Sequence, residues 1–145
     1  MPEQGQDREV AEFFAIFEEA SESLDTGALT GCFAEAFMAA DPSGAQPVPR
    51  AGFLSVLPGR KELFAAAGIG RVSLADLTYI DLDEHYLLVH TTWAAPRQGG
   101  SAGPGSVTLR SSFILRRTDD GLRIVFYLNH KDLNDILTPD GVAAD

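Results

Sequence analysis

From Asp7 to Leu24 the apolar residues Val10, Phe13, Phe14, Phe17, Ala20 and Leu24 recur at helical spacing, with Glu12, Glu19 and Glu22 on the opposite side. The spacing predicts an amphipathic helix with an aromatic buried stripe. Asp25-Thr26-Gly27 interrupts it and offers side chains able to cap a following helix. Leu29, Phe33, Ala36 and Phe37 predict a second short helix, ending near Asp41-Pro42-Ser43-Gly44, because a residue before proline is pushed out of helical geometry. Pro47 and Pro49 predict an irregular segment. Phe53, Leu54 and Leu57 predict a helical turn or two stopped at Pro58-Gly59, and residues 60–67 are rich in helix formers up to Gly68, a left-handed terminator. One broken helix and two short ones fit this stretch equally.

After Gly70 the period changes. A strand is predicted over 71–82, a turn at Asp83-Glu84-His85, and a second strand over 86–94. The run from Pro96 to Ser106, with four glycines, predicts a long loop. Val107, Leu109, Ser111, Phe113 and Leu115 then alternate with Thr108, Arg110, Ser112 and Arg116. Thr118-Asp119-Asp120-Gly121 marks a hairpin turn into a last strand. Strict alternation there would put Leu122, Ile124, Phe126, Leu128 and His130 on one side, and Arg123, Val125, Tyr127 and Asn129 on the other. Helices followed by antiparallel strands define an α+β domain with the helices packed on one sheet face, and such a sheet can curl around the helices and leave a cavity at its open end. One domain is expected over residues 1–145, with its core about 7–133 and a fraying tail at 138–145.

Composition refines this picture. The chain has 145 residues, is 45% hydrophobic and 22% charged, and carries a formal charge of −10. Eight acids against one base (Arg8) fall in the first 25 residues, so most of the acidity belongs to the first helix. No basic stripe is available to replace counterions around phosphates, which disfavours nucleic acid as a partner. No apolar run is long enough to cross a membrane, and the start lacks the pattern of a signal peptide, so a cytoplasmic location is expected. A single cysteine, Cys32, excludes an internal disulfide and a multi-cysteine zinc site. His90, His130, Asp132 and Asp41 show no metal-ligand spacing, and neither metal nor cofactor is expected. Cys32, set among apolar residues, reads as a buried inert thiol.

The helix-then-sheet order, with Cys32 to Gly44 reading CFAEAFMAADPSG, resembles the nuclear transport factor 2-like superfamily, which includes the ketosteroid isomerases and the SnoaL-like polyketide cyclases. The resemblance runs from the first helix to the strand ending at His130. It implies a cone-shaped pocket and places Asp41-Pro42 where the isomerases carry their catalytic base. The two oxyanion donors of those enzymes fall on Phe17 and Ser111, a phenyl ring and a hydroxyl weaker as an acid. Loss of one such donor costs about 10²–10³ in rate, so steroid isomerisation itself is not expected.

The expected pocket is lined by Phe13, Phe17, Phe37, Ser111, Phe113, Phe126 and Leu128. Asp41 and His130 are the candidate acid/base groups, and Ser111 orients a substrate oxygen. Asp41 acts as a base if Phe37 and Met38 raise its pKa; the competing reading is a carboxylate bonded to its own turn. His130 points inward, or is satisfied by a backbone carbonyl or by Asp132; the face of His90 stays open. The expected ligand is a small apolar or carbonyl-bearing molecule, handled by isomerase- or cyclase-like proton transfer, with a non-catalytic sensing or dimerisation scaffold as the alternative. A homodimer through the sheet, by way of Val125, Tyr127 and Ile114, is also expected.

Overall fold

The computed structural model describes residues 2–97 and 105–131, and the side chains from Arg8 onward within the first helix. The tail at 138–145, Asp132 and most of the glycine-rich loop lie outside the described residues.

Helix α1 (Pro2–Ser23) buries Val10, Phe13, Phe14, Phe17 and Ala20, the stripe its spacing predicts. Leu24 then takes a positive φ of 57°, and Asp25 caps α2 (Thr26–Thr30) by accepting a 3.1 Å bond from the Ala28 N–H. The expected second helix goes no further. Phe33 to Asp41 form a strand, β1, paired antiparallel with β2 (Gly44–Pro49) across the turn Pro42-Ser43. A spacing of four between Phe33 and Phe37 suits one helix face, but it is also two full periods of a strand, and both rings are buried. The sheet partners on either side of β1 decide between the two. Pro47 and Pro49 belong to β2, which is an edge strand, where a missing N–H is tolerated.

Helix α3 (Arg50–Ala66) is one element that keeps Pro58 in its interior. The Arg50 guanidinium donates to the carbonyls of Thr30 (3.3 Å) and Phe33 (3.1 Å), fixing the start of α3 to the α2–β1 connection. The helix ends at Gly68, whose φ of 81° fits the expected terminator. Strands β3 (Ser73–Asp81), β4 (Tyr86–Arg97), β5 (Gly105–Thr118) and β6 (Gly121–Asn129) follow. The six strands lie in the order β2-β1-β6-β5-β4-β3, antiparallel except for β1 with β6. The molecule is thus an α+β fold with a mostly antiparallel curved sheet around its helices.

Phe14 is fully buried, with ring centroids 5.1 Å from Phe13, 6.0 Å from Phe17 and 5.1 Å from Phe113. These edge-on contacts join α1 to the inner face of the sheet. On that face β4 and β5 present Leu87, Val89, Thr91 and Trp93 opposite Leu115, Phe113, Ser111 and Leu109. The alternation read for β5 holds.

That of β6 breaks. Ile114 pairs with Phe126 and Leu115 with Ile124, so Val125 has no counterpart and forms a bulge. One extra residue reverses every side chain beyond it. Leu122 and Ile124 point into the core, as expected. Past the bulge, Tyr127 and Asn129 take the inner face, while Phe126, Leu128 and His130 go outward, the reverse of the expected arrangement.

At the far end, Arg117 holds α1 to the sheet through Asp81 (2.8 Å) and Glu9 (3.6 Å). Both carboxylates keep its guanidinium charged and push its pKa up.

Replacing Phe14 with alanine removes the ring at the centre of this cluster. Urea denaturation should show a loss of about 3–5 kcal/mol, and a loss below about 1 kcal/mol would contradict the packing.

Candidate functional site

Between α1, α3 and the inner face of the sheet lies a cavity of about 360 Å³. Phe17, Leu29, Phe33, Phe53, Leu57, Phe64, Ile69, Trp93, Leu109 and Phe113 make its walls apolar. The stripe Phe53, Leu57, Arg60, Lys61 and Phe64 reaches it because these residues recur on one face of α3. Gly70 closes one side at close range. Its N–H donates to the Pro96 carbonyl at 2.8 Å, and a Cβ on Gly70 would meet the proline ring at 2.9 Å, so only glycine fits.

The polar groups of the sheet floor form one chain. The Trp93 Nε1–H donates to Thr91 Oγ1 (2.7 Å), the Thr91 hydroxyl donates to the Ser111 carbonyl (3.0 Å), and the Ser111 hydroxyl donates to Asn129 Oδ1 (2.9 Å). Thr91 and Ser111 are buried, and each is satisfied. The Asn129 amide nitrogen and the Tyr127 phenol keep free hydrogen-bonding capacity among the described residues. Tyr127 stacks on Phe113 with centroids 4.8 Å apart and planes 11° apart. At the partly exposed edge Lys61 bonds Glu22, through both its backbone carbonyl and its carboxylate, and Arg71 pairs with Glu19 at 3.3 Å.

A second cavity, of about 330 Å³, adjoins the first and shares four residues with it: Phe53, Arg60, Tyr127 and Asn129. Its other walls come from the β1–β2 hairpin, including Asp41, Ser43 and Gln46.

Of the residues expected to line a pocket, Phe17, Ser111 and Phe113 border the larger cavity. Phe13 and Phe37 are buried but do not line it. Phe126 and Leu128 lie on the other sheet face. Asp41 and His130 do not meet. Asp41 Oδ1 accepts from the Ser43 N–H (2.8 Å) and the Ser43 hydroxyl (2.5 Å) in its own turn. These bonds, the hydroxyl first, lower its pKa below the ordinary value near 3.8, as in the reading of a carboxylate bonded to its own turn and not that of a base raised by Phe37 and Met38. His130 is exposed on the outer face. There Ser112 Oγ, itself buried, lies 2.8 Å from His90 Nδ1 and 2.7 Å from His130 Nε2. A hydroxyl can donate to one ring while accepting from the other, so the three residues satisfy one another.

Cys32 is buried just ahead of β1, and burial, only partly offset by Arg123, raises its thiol to about 11. Among the described residues no group of three or more His, Cys, Asp or Glu side chains could hold a metal ion. No helix among them is long and apolar enough to cross a membrane.

The site residues that the sequence reading missed include Phe33, Phe53, Leu57, Arg60, Phe64, Tyr127 and Asn129. For the α3 group the helical spacing was available as a signal; for Tyr127 and Asn129 nothing announced the bulge.

Solved structures share this architecture. An NTF2-like protein with a cystatin-like fold from Novosphingobium aromaticivorans superposes with a TM-score of 0.68 at 22% identity, over 95% of this chain and 84% of that one. Aln2 from a Streptomyces species gives a TM-score of 0.71 at 15% identity, over 91% and 94%. A putative calcium/calmodulin-dependent protein kinase II association domain from Xanthomonas campestris gives 0.62 at 14%, over 86% of each chain. No family model and no curated protein matches the sequence. The chain has the nuclear transport factor 2-like, cystatin-like fold.

Following the Asp41 carboxyl by carbon-detected NMR should give a pKa below 3.8, returning toward it in Ser43→Ala. The Ser43 bonds would then add to stability above the ordinary carboxyl pKa and be lost as pH falls through the lowered one. A midpoint above about 5 would restore Asp41 as a candidate base.

Proposed function

We propose that this chain is a binding module for a small, largely apolar molecule carrying an oxygen, which it holds and does not transform. The observation that carries the reading is the pairing of an aromatic cavity of about 360 Å³ with a floor of neutral, mutually bonded polar groups. The volume lies within the range of small-molecule sites. The floor contributes no carboxylate or imidazole. Glu18 and Glu22 come from the partly exposed end of α1, and Glu22 is ion-paired with Lys61. Proton transfer at a carbonyl needs an acid or base within reach of the reacting atom, and neither the neutral floor nor the aromatic walls supply a carboxylate or an imidazole. The free hydrogen-bonding groups, the Asn129 amide and the Tyr127 phenol, suit a ligand oxygen.

Trp93 is the only tryptophan in the chain and borders the cavity. Titration with 4-tert-butylbenzyl alcohol should change its emission saturably. Leu57→Phe, which narrows the cavity, should weaken binding about tenfold. Folded protein with no saturable response would contradict the reading.

Self-association of two copies through the outer sheet face belongs to the same proposal. The strand registers align Ile80, Leu88, Ile114, Phe126, Met38 and Pro47 in a row crossing all six strands. Ile80 is 59% exposed and Met38 38%. A continuous apolar band on a sheet face is self-complementary under a two-fold axis. The similarity to a protein described as an association domain favours the same view. Of the residues first expected there, Ile114 belongs to this row, whereas Tyr127 faces inward. Light scattering should give a dimer mass for the native chain and a monomer mass for Ile80→Lys/Phe126→Lys. A native monomer at working concentration would contradict it.

A further inference from the structure

We infer that the ligand is an anion: a small apolar molecule bearing a carboxylate, which Arg60 receives at the junction of the two cavities. The inference rests on the binding reading above and names the ligand class for that same site.

Arg60 stands on the apolar stripe of α3, between Leu57 and Phe64, and is half-buried. The other two bases lining the larger cavity are both engaged, Lys61 by Glu22 and Arg71 by Glu19. Arg60 has no ion pair among the described residues. A guanidinium at an apolar wall without a carboxylate loses water and gains no counter-charge, so an anionic guest would supply the missing partner. Arginine presents two parallel N–H donors that match the two oxygens of a carboxylate.

The residues around it point the same way. Arg60, Phe53, Tyr127 and Asn129 border both cavities. Asn129 Oδ1 is already taken by Ser111, which leaves its amide N–H groups, and the Tyr127 phenol can add another donor. Three donor-bearing side chains therefore share one junction, and the Asn129 side-chain oxygen already accepts from Ser111. Acids do lie nearby. Glu18 and Glu22 line the larger cavity against three bases, and Asp41 lines the smaller with its carboxylate bonded to Ser43. Basic residues outnumber acidic ones along the larger cavity, in a chain whose net charge is −10. A ring in the aromatic cavity with its carboxylate turned toward Arg60 satisfies the three donor-bearing side chains at the junction.

The test compares 4-tert-butylbenzoate with 4-tert-butylbenzyl alcohol, near-isosteric probes that differ in charge, by Trp93 emission and calorimetry at about 50 mM and about 500 mM salt. The carboxylate should bind the native protein at least about tenfold more tightly than the alcohol at low salt, with the preference shrinking at high salt. Arg60→Gln should abolish the preference by weakening the carboxylate far more than the alcohol, while Arg60→Lys should keep part of it. Arg116→Gln, on the outer face, removes the same charge elsewhere and should leave the preference intact. Equal affinity for the two probes, or a preference that survives Arg60→Gln, overturns the inference and leaves the binding reading standing. Loss of alcohol binding in folded Arg60→Gln also overturns it, since Arg60 would then shape the cavity and not read charge. If neither probe binds the native protein, the binding reading fails and this inference fails with it. Should Arg60→Gln not fold, the salt dependence of the native preference together with Arg60→Lys decides the matter.

Discussion

A single unpaired residue in β6 governs which chemistry faces the interior. Side chains alternate along a strand, so the bulge at Val125 turns Tyr127 and Asn129 toward the helices and sends Phe126, Leu128 and His130 to the other side. The parallel partner β1 carries its own irregularity between Phe33 and Met38, which brings Ala39 beside Tyr127 and Met38 beside Phe126. Without the bulge Leu128 would stand opposite Ser111 where the asparagine does, and the buried Ser111 hydroxyl would need another acceptor. An unsatisfied buried hydroxyl costs roughly 1–3 kcal/mol, which helps hold the observed register.

The consequence for chemistry is a separation of functions by face. The inner face carries aromatic rings and a neutral hydrogen-bond chain, and its charges enter mainly from α1 and α3. The outer face carries both His90 and His130, tied together by Ser112, beside an apolar row that spans the sheet. Asp41, which the resemblance sets against the base of the ketosteroid isomerases, is committed to a hairpin turn and made a weaker base by it. What persists from the resemblance is the container.

Much of the fold was legible in the sequence because several local signals agreed. In α1 the aromatic spacing and the Asp25 cap pointed to one boundary, and in β5 the alternation had no rival period. The turns at Asp83 and at Thr118–Gly121 carry residues that form such turns for physical reasons. Where signals were degenerate, the reading failed. Phe33 and Phe37 fit a helix or a strand equally, and only hydrogen bonding to β2 and β6, remote in sequence, selects the strand. Pro58 leaves one broken helix and two short ones open, and packing of Phe53, Leu57 and Phe64 carries α3 past it as one element. The site was less legible than the fold. A bulge leaves no mark in composition, so strict alternation puts Phe126 and His130 inside, although it holds only as far as Ile124. The cavity-facing side of α3 could be read from its period, but that Arg60 forms no ion pair among the described residues is a property of three dimensions.

The reversal of faces at Val125 can be observed directly by nuclear Overhauser contacts in the assigned protein. The account predicts contacts from the Tyr127 ring to Phe113 and Phe53, and from the Phe126 ring to Ile114 and Met38, with none between Phe126 and Phe113. Contacts from Phe126 to the Phe113 ring, with Tyr127 contacting the outer row instead, would contradict it.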